Sequence, residues 1–157
     1  MPAQLTDEEI AALVQEPKHL PNDSRARLKT KPKRGHSEQE LDITGENGSE
    51  FRLILRQSSL NTLDFSVILG FRPSDTNQLF RLRRYNGKSH EHTNTLERET
   101  FYDFHIHIAT ERYQALGMRE DTFAVPTNRY ADFEGALAGM IDDCGFIRPL
   151  DPQVSLF

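Results

Sequence analysis

Four of the six histidines fall within eighteen residues, as two His-x-His pairs, His90/His92 and His105/His107. Arg81, Arg83, Arg84, Tyr85 and Lys88 stand just before or between them. An imidazole titrates near neutrality, so one can accept the 2′-hydroxyl proton of RNA while another protonates the leaving oxygen. A nearby cation can hold the phosphate and stabilise its growing charge. The stretch therefore carries the parts of a metal-independent ribonuclease. His90, His92, His105 and His107 are the candidate catalytic residues, with Arg83 and Tyr85 beside them, and Arg81, Arg84 and Lys88 are candidate contacts to a nucleic-acid backbone. Tyr85 and Tyr113 offer rings for base stacking, and Asp103 or Glu111 could orient an imidazole. Two other readings use the same four histidines. They suit a Zn, Cu, Fe or Ni site, although neither pair lies in a signature such as His-Glu-x-x-His and nothing else in the chain asks for a cofactor. They are also ordinary on the solvated face of a sheet.

The elements that must position these residues are strands. Tyr102 to Ile108 alternates, so Tyr102, Phe104, Ile106 and Ile108 share a core face and Asp103, His105 and His107 the other. The run Leu79 to Arg83 has the same form, with Arg81 and Arg83 opposite Phe80 and Leu82. Upstream, alternation over 39–44, 51–56 and 65–71, with Asn47-Gly48 as a hairpin turn, predicts further antiparallel strands. A long polar connection runs from Lys88 to Thr100, and a short sixth strand is expected over 121–125. Thr6 with Glu9 forms a capping box for a helix ended by Pro17, and Thr127 is the expected cap of a helix over 129–144 ended by Gly145. The expected class is α+β: an antiparallel meander of about five or six strands, with the short N-terminal helix and the C-terminal helix packed on one face. Residues 1–36 read as that helix and a basic, partly mobile arm, 37–147 as a single α+β domain, and 148–157 as a loose tail.

The arm holds Arg25, Arg27, Lys29, Lys31, Lys33 and Arg34, with Asp23 preceding the run and no acid within it. Extended, it would present alternate charges on one side to phosphates; solvated charge is the plainer reading.

The whole chain narrows the classes. At 157 residues it can bury one core, and ten Phe and four Tyr set it apart from disordered sequences. A net charge of -5 argues against bulk electrostatic attraction to nucleic acid and leaves room for a local basic patch. One cysteine, Cys144, allows no intramolecular disulfide and fits a reducing cytoplasm; no apolar run is long enough to cross a membrane and no signal peptide is visible.

The order Arg84-Tyr85-Asn86-Gly87, then Ser89-His90-Glu91-His92, then Phe104-His105-Ile106-His107 resembles the signature of the TumE-type toxins of bacterial toxin–antitoxin pairs. That family's Asp after the aromatic residue and its prolines have no counterpart here. The resemblance implies a small cytoplasmic protein, a ribonuclease-like toxin with RNA as substrate and an antitoxin as protein partner. The rival expectation is a non-catalytic module that binds a protein target, such as a phage- or plasmid-encoded inhibitor. The acidic balance and the terminal helix suit that rival.

Overall fold

The structure, a computed structural model, describes residues 4–149. Its elements run α1 (Asp7–Gln15), β1 (Lys18–His19), α2 (Ser24–Arg27), β2 (Lys29–Lys33), β3 (His36–Thr44), β4 (Glu50–Ser58), β5 (Phe65–Arg72), β6 (Phe80–Asn86), β7 (His92–Asn94), β8 (Glu99–Phe101), β9 (His105–Ile108), α3 (Glu111–Ala115), β10 (Ala124–Pro126), α4 (Phe133–Asp143) and β11 (Phe146–Ile147). The fold is α+β. Seven strands form one antiparallel sheet in the order β10-β9-β6-β5-β4-β3-β2.

The alternation read from the sequence builds this sheet. Leu41, Ile43, Phe51, Leu53, Leu55, Phe65, Val67 and Leu69 form one face. They join Ile10 and Val14 of α1 with Ala136, Leu137, Met140 and Ile141 of α4 in a single apolar cluster. Side chains such as Leu53, Val67 and Leu69, wholly removed from solvent, contribute about 1.5–3 kcal/mol each by burial. Helices α1, α3 and α4 begin where side chains cap them. Thr6 and Glu9 form the expected reciprocal box. α4 starts later than the sequence suggested, because Asp132 rather than Thr127 supplies the cap, its carboxylate accepting from Gly135 N at 2.7 Å. Gly145 ends that helix at φ +74°, where a Cβ would also stand 2.7 Å from the Glu16 carbonyl oxygen.

Two expectations are corrected. The basic stretch is built into the fold: Arg25 and Arg27 lie in α2, and Lys29, Lys31 and Lys33 lie in β2, paired with β3 at the sheet edge, with Arg34 in the following turn. The strand expected over 102–108 begins only at His105, after a break at Tyr102-Asp103-Phe104. Tyr102 is half exposed rather than core, and Phe101 belongs to a small β7–β8 hairpin formed by the long polar connection. Of the expected loose tail, Arg148 pairs with Asp142 at 2.8 Å, and residues 150–157 lie outside the described residues.

Candidate functional site

A register shift at Leu69/Gly70 decides which arginines meet the histidines. Leu69 faces Arg83, whereas Gly70 faces Arg81, so β6 carries one extra residue, Leu82, at this point. Below the shift Arg84 pairs with His107 and Asn86 with His105. Arg81 and Arg84 therefore lie on the histidine face. Arg83 turns to the helix-covered face, where its charge acts on Tyr85 and Cys144. Tyr85 is also on that face, fully buried, and its hydroxyl donates to the Asp143 carboxylate. Burial pushes the Tyr85 hydroxyl well above its ordinary range. Arg83 and Tyr85 thus drop out of the site. A regular strand would have put Arg83, not Arg84, beside the histidines.

His105 and His107 point away from the apolar cluster while Ile106 joins it and Phe104 packs on its margin, as alternation requires. They are not solvated, however: His105 is 0% exposed and His107 3%. The β7–β8 hairpin folds over them. It lays the His92 ring 5.3 Å from the His105 ring and 4.9 Å from that of His107, centroid to centroid, and the Phe101 ring 5.7 Å from His105. His105 and His107 are 5.0 Å apart, and His90, exposed at the rim, stands edge-on to His105 at 5.7 Å.

Each of the inner three imidazoles donates one N–H to a fixed oxygen. His105 Nδ1 donates to the Asp103 carbonyl at 2.8 Å and His107 Nδ1 to the Asp121 carbonyl at 2.7 Å. His92 Nε2 donates to Asn94 Oδ1 at 2.8 Å. Asn94 is itself locked, accepting from Ala124 N at 2.9 Å and donating to Ala124 O at 2.6 Å. These acceptors fix the tautomers and leave His92 Nδ1, His105 Nε2 and His107 Nε2 as lone-pair nitrogens. His105 Nε2 is buried with no hydrogen-bond partner among the described residues. Burial is the chief cause that pushes the pKa of His105 down to about 4 and that of His107 to about 2. Both are therefore neutral near pH 7. One donor nitrogen from each of His92, His105 and His107 lies within 4.8 Å of the others, and no other described group of three or more His, Cys, Asp or Glu does this.

A cavity of about 230 Å³ opens beside them, lined by Arg84, His90, His92, His107, Arg119 and Asp121 among others. Asp121, 1% exposed, stands between the two arginines: its Oδ2 is 3.4 Å from Arg84 Nε and its Oδ1 3.9 Å from Arg119 Nε. The first contact is an ion pair that makes no hydrogen bond, so Arg84 Nε is left with an unused N–H. Arg81 and Arg56 add their charge to this neighbourhood. The cavity mouth carries more positive than negative charge, which suits an anion.

The structure brings His90, His92, His105, His107 and Arg84 together, with Arg81 adjoining. It places Lys88 elsewhere, its ammonium over the Tyr102 ring at 5.9 Å. Tyr113 is buried and its hydroxyl donates to Glu97 at 2.6 Å, so it offers no stacking surface. The Glu111 carboxylate accepts from Asp7 N and Glu111 N donates to the Asp7 carboxylate instead of Glu111 orienting an imidazole, and Asp103 acts through its carbonyl. Lys29 and Lys31 of β2 share the histidine side of the sheet, but β9 and β2 are five strand steps apart in the sheet order, roughly 24 Å. An acidic row intervenes: Lys31 pairs with Glu40 at 3.0 Å and Arg56 with Glu38 at 2.5 Å. Arg27 pairs with Asp23 at 2.7 Å. Asn94, Arg119 and Asp121 were not singled out by the sequence. Nothing in their local spacing marks them, since β7 and the turn before β10 lie far from β9 in sequence.

Comparison with curated proteins and with solved structures finds no match. Comparison with protein families matches residues 5–144, a span that takes in α1 to α4, the whole large sheet and every residue of the pocket. The chain belongs to the family of unknown function DUF6978.

Proposed function

We propose that this protein cleaves phosphodiester bonds in RNA at the histidine pocket. The observation that carries the reading is the convergence of His90, His92 and His107 with Arg84 and Arg119 around one cavity, with the His105 ring packed behind them. Arg84, lining the cavity, and the more exposed Arg119 hold the phosphate. Their charge offsets that developing on the non-bridging oxygens as the 2′-oxygen attacks phosphorus. The bond from phosphorus to the 5′-oxygen then breaks, and the products are a 2′,3′-cyclic phosphate and a 5′-hydroxyl. His90, exposed at the rim, gives the leaving oxygen its proton. The buried His105 and His107, held neutral, cannot serve as that acid. The same burial opposes their taking up a proton, so they act by holding the group that accepts the 2′-hydroxyl proton. The likeness of the His-x-His stretches to the TumE-type toxins supports the same choice of substrate.

End-labelled single-stranded RNA incubated with the purified protein tests this. The wild type should yield fragments ending in cyclic phosphate, and Arg84→Gln should lower kcat by about 10²–10³-fold, the cost of one preorganised contact to developing charge. Intact RNA after prolonged incubation with the folded wild type would refute the proposal.

A further inference from the structure

The inner histidines are arranged for something other than proton exchange with solvent. His105 lies at the bottom of the cluster, out of contact with water, and its Nε2 has no partner. A buried acceptor of this kind is destabilising unless something satisfies it. Two more imidazoles turn lone pairs of the same kind toward one region, because their other nitrogens are already committed to Asn94 and to the Asp121 carbonyl. One ring nitrogen from each of the three lies within 4.8 Å of the others, and lone-pair nitrogens cannot satisfy one another. A cation can satisfy all three.

We propose that His92, His105 and His107 bind one divalent first-row transition-metal ion, with zinc the best match. Three neutral nitrogen donors select zinc and its neighbours over magnesium or calcium, which take oxygen ligands. The second sphere is the kind that metal-bound histidines use: each ring donates its other N–H to a carbonyl oxygen that sets tautomer and orientation. The ligands come from two elements, β9 beneath and the β7–β8 hairpin above, so the ion would also pin the hairpin to the sheet. Asp121 offsets the Arg84 charge near the site. Three protein ligands are the complement of a catalytic zinc site, which keeps its fourth position for water or substrate. His92 and His107 line the cavity that carries Arg84 and Arg119, so that position would open onto it. The inference deepens the reading of the same pocket, but it rests on the imidazole geometry and not on RNA being the substrate.

The test uses the full chain, prepared without a histidine tag, stripped with chelator and titrated with Zn²⁺, Co²⁺ or Mg²⁺. Wild type should take up one equivalent of zinc, and the cobalt form should show the visible bands of a four- or five-coordinate nitrogen-bound centre. Magnesium should not compete. His92→Ala and His107→Ala should each abolish stoichiometric binding, whereas His90→Ala should keep it. His92 sits half-buried on the hairpin, so its variant tests the site without opening the sheet, and circular dichroism checks that it is folded. Wild type that takes up no zinc or cobalt, or folded His92→Ala that binds as tightly as wild type, would overturn the inference. The wild-type result decides alone if both ligand variants unfold. Zinc binding without RNA cleavage would keep the metal site and remove the ribonuclease reading, and cleavage by protein that binds no metal would do the reverse.

Discussion

Asn94 clasps Ala124 through two hydrogen bonds, from Ala124 N at 2.9 Å and to Ala124 O at 2.6 Å, and so fastens the β7–β8 hairpin to strand β10. The same Asn94 oxygen receives the His92 N–H. Asn94→Ala removes all three interactions in a buried setting and leaves the Ala124 backbone groups without their partner. The expected loss is about 2–3 kcal/mol, with faster hydrogen exchange confined to β7, β8 and β10. A variant as stable as wild type, with unchanged exchange there, would show that the hairpin is held in some other way.

The burial of His105 and His107 sets an acid limit on metal-free protein. Unfolded imidazoles take up protons as pH falls through about 6.5, but in the fold burial delays this to about 4 for His105 and about 2 for His107. The unfolded chain then binds more protons than the folded one, so the stability these neutral rings allow is complete above about pH 6.5 and is lost as pH falls below it. The slope is about 1.4 kcal/mol per pH unit for each histidine. Urea midpoints of chelator-treated protein between about pH 7 and pH 4.5 should fall steeply, and less steeply for His107→Gln. A flat profile in wild type would contradict neutral, buried imidazoles.

Lys18 is a separate fixture on the opposite side of the sheet. It is 0% exposed, its ammonium lies 2.8–2.9 Å from the carbonyl oxygens of Leu13, Val14, Glu16 and Cys144, and it stands 4.4 Å from the Phe51 ring centroid. It ties the last turns of α1 and α4 together. Burial pushes its pKa down to about 8, while the four carbonyls hold the charged form. Lys18→Met keeps the volume but strands the carbonyls, and should cost about 3 kcal/mol or more. Chemical denaturation would measure it, and zinc stoichiometry should not change.

Periodicity carried the large sheet because its strands set apolar residues two apart on the helix-covered face, even where β4 and β5 also bury Ile54 and Ile68 on the other. The site depended on features that such a pattern does not encode. The bulge in β6 turned Arg84 rather than Arg83 toward His107. Its only trace in the sequence is that Leu82 and Tyr85, both apolar, are three apart and cannot share a face of a regular strand. The hairpin that buries His105 has three-residue strands without alternation, held by Asn94 across thirty residues of chain. Its position follows from tertiary contacts, so the histidines read as a solvated face. The basic run looked mobile because few apolar residues mark it, yet backbone pairing to β3 orders an edge strand whatever its side chains.

The account joins a metal held by His92, His105 and His107 to RNA cleavage in the cavity beside it, and one titration tests that junction directly. Chelator-stripped protein is given zinc in steps, and bound zinc and the initial rate of RNA cleavage are measured on the same samples. The account predicts a rate that rises in proportion to bound zinc and levels off at one equivalent per chain. A rate already at its full value in stripped protein, or no cleavage at any zinc occupancy, would contradict it.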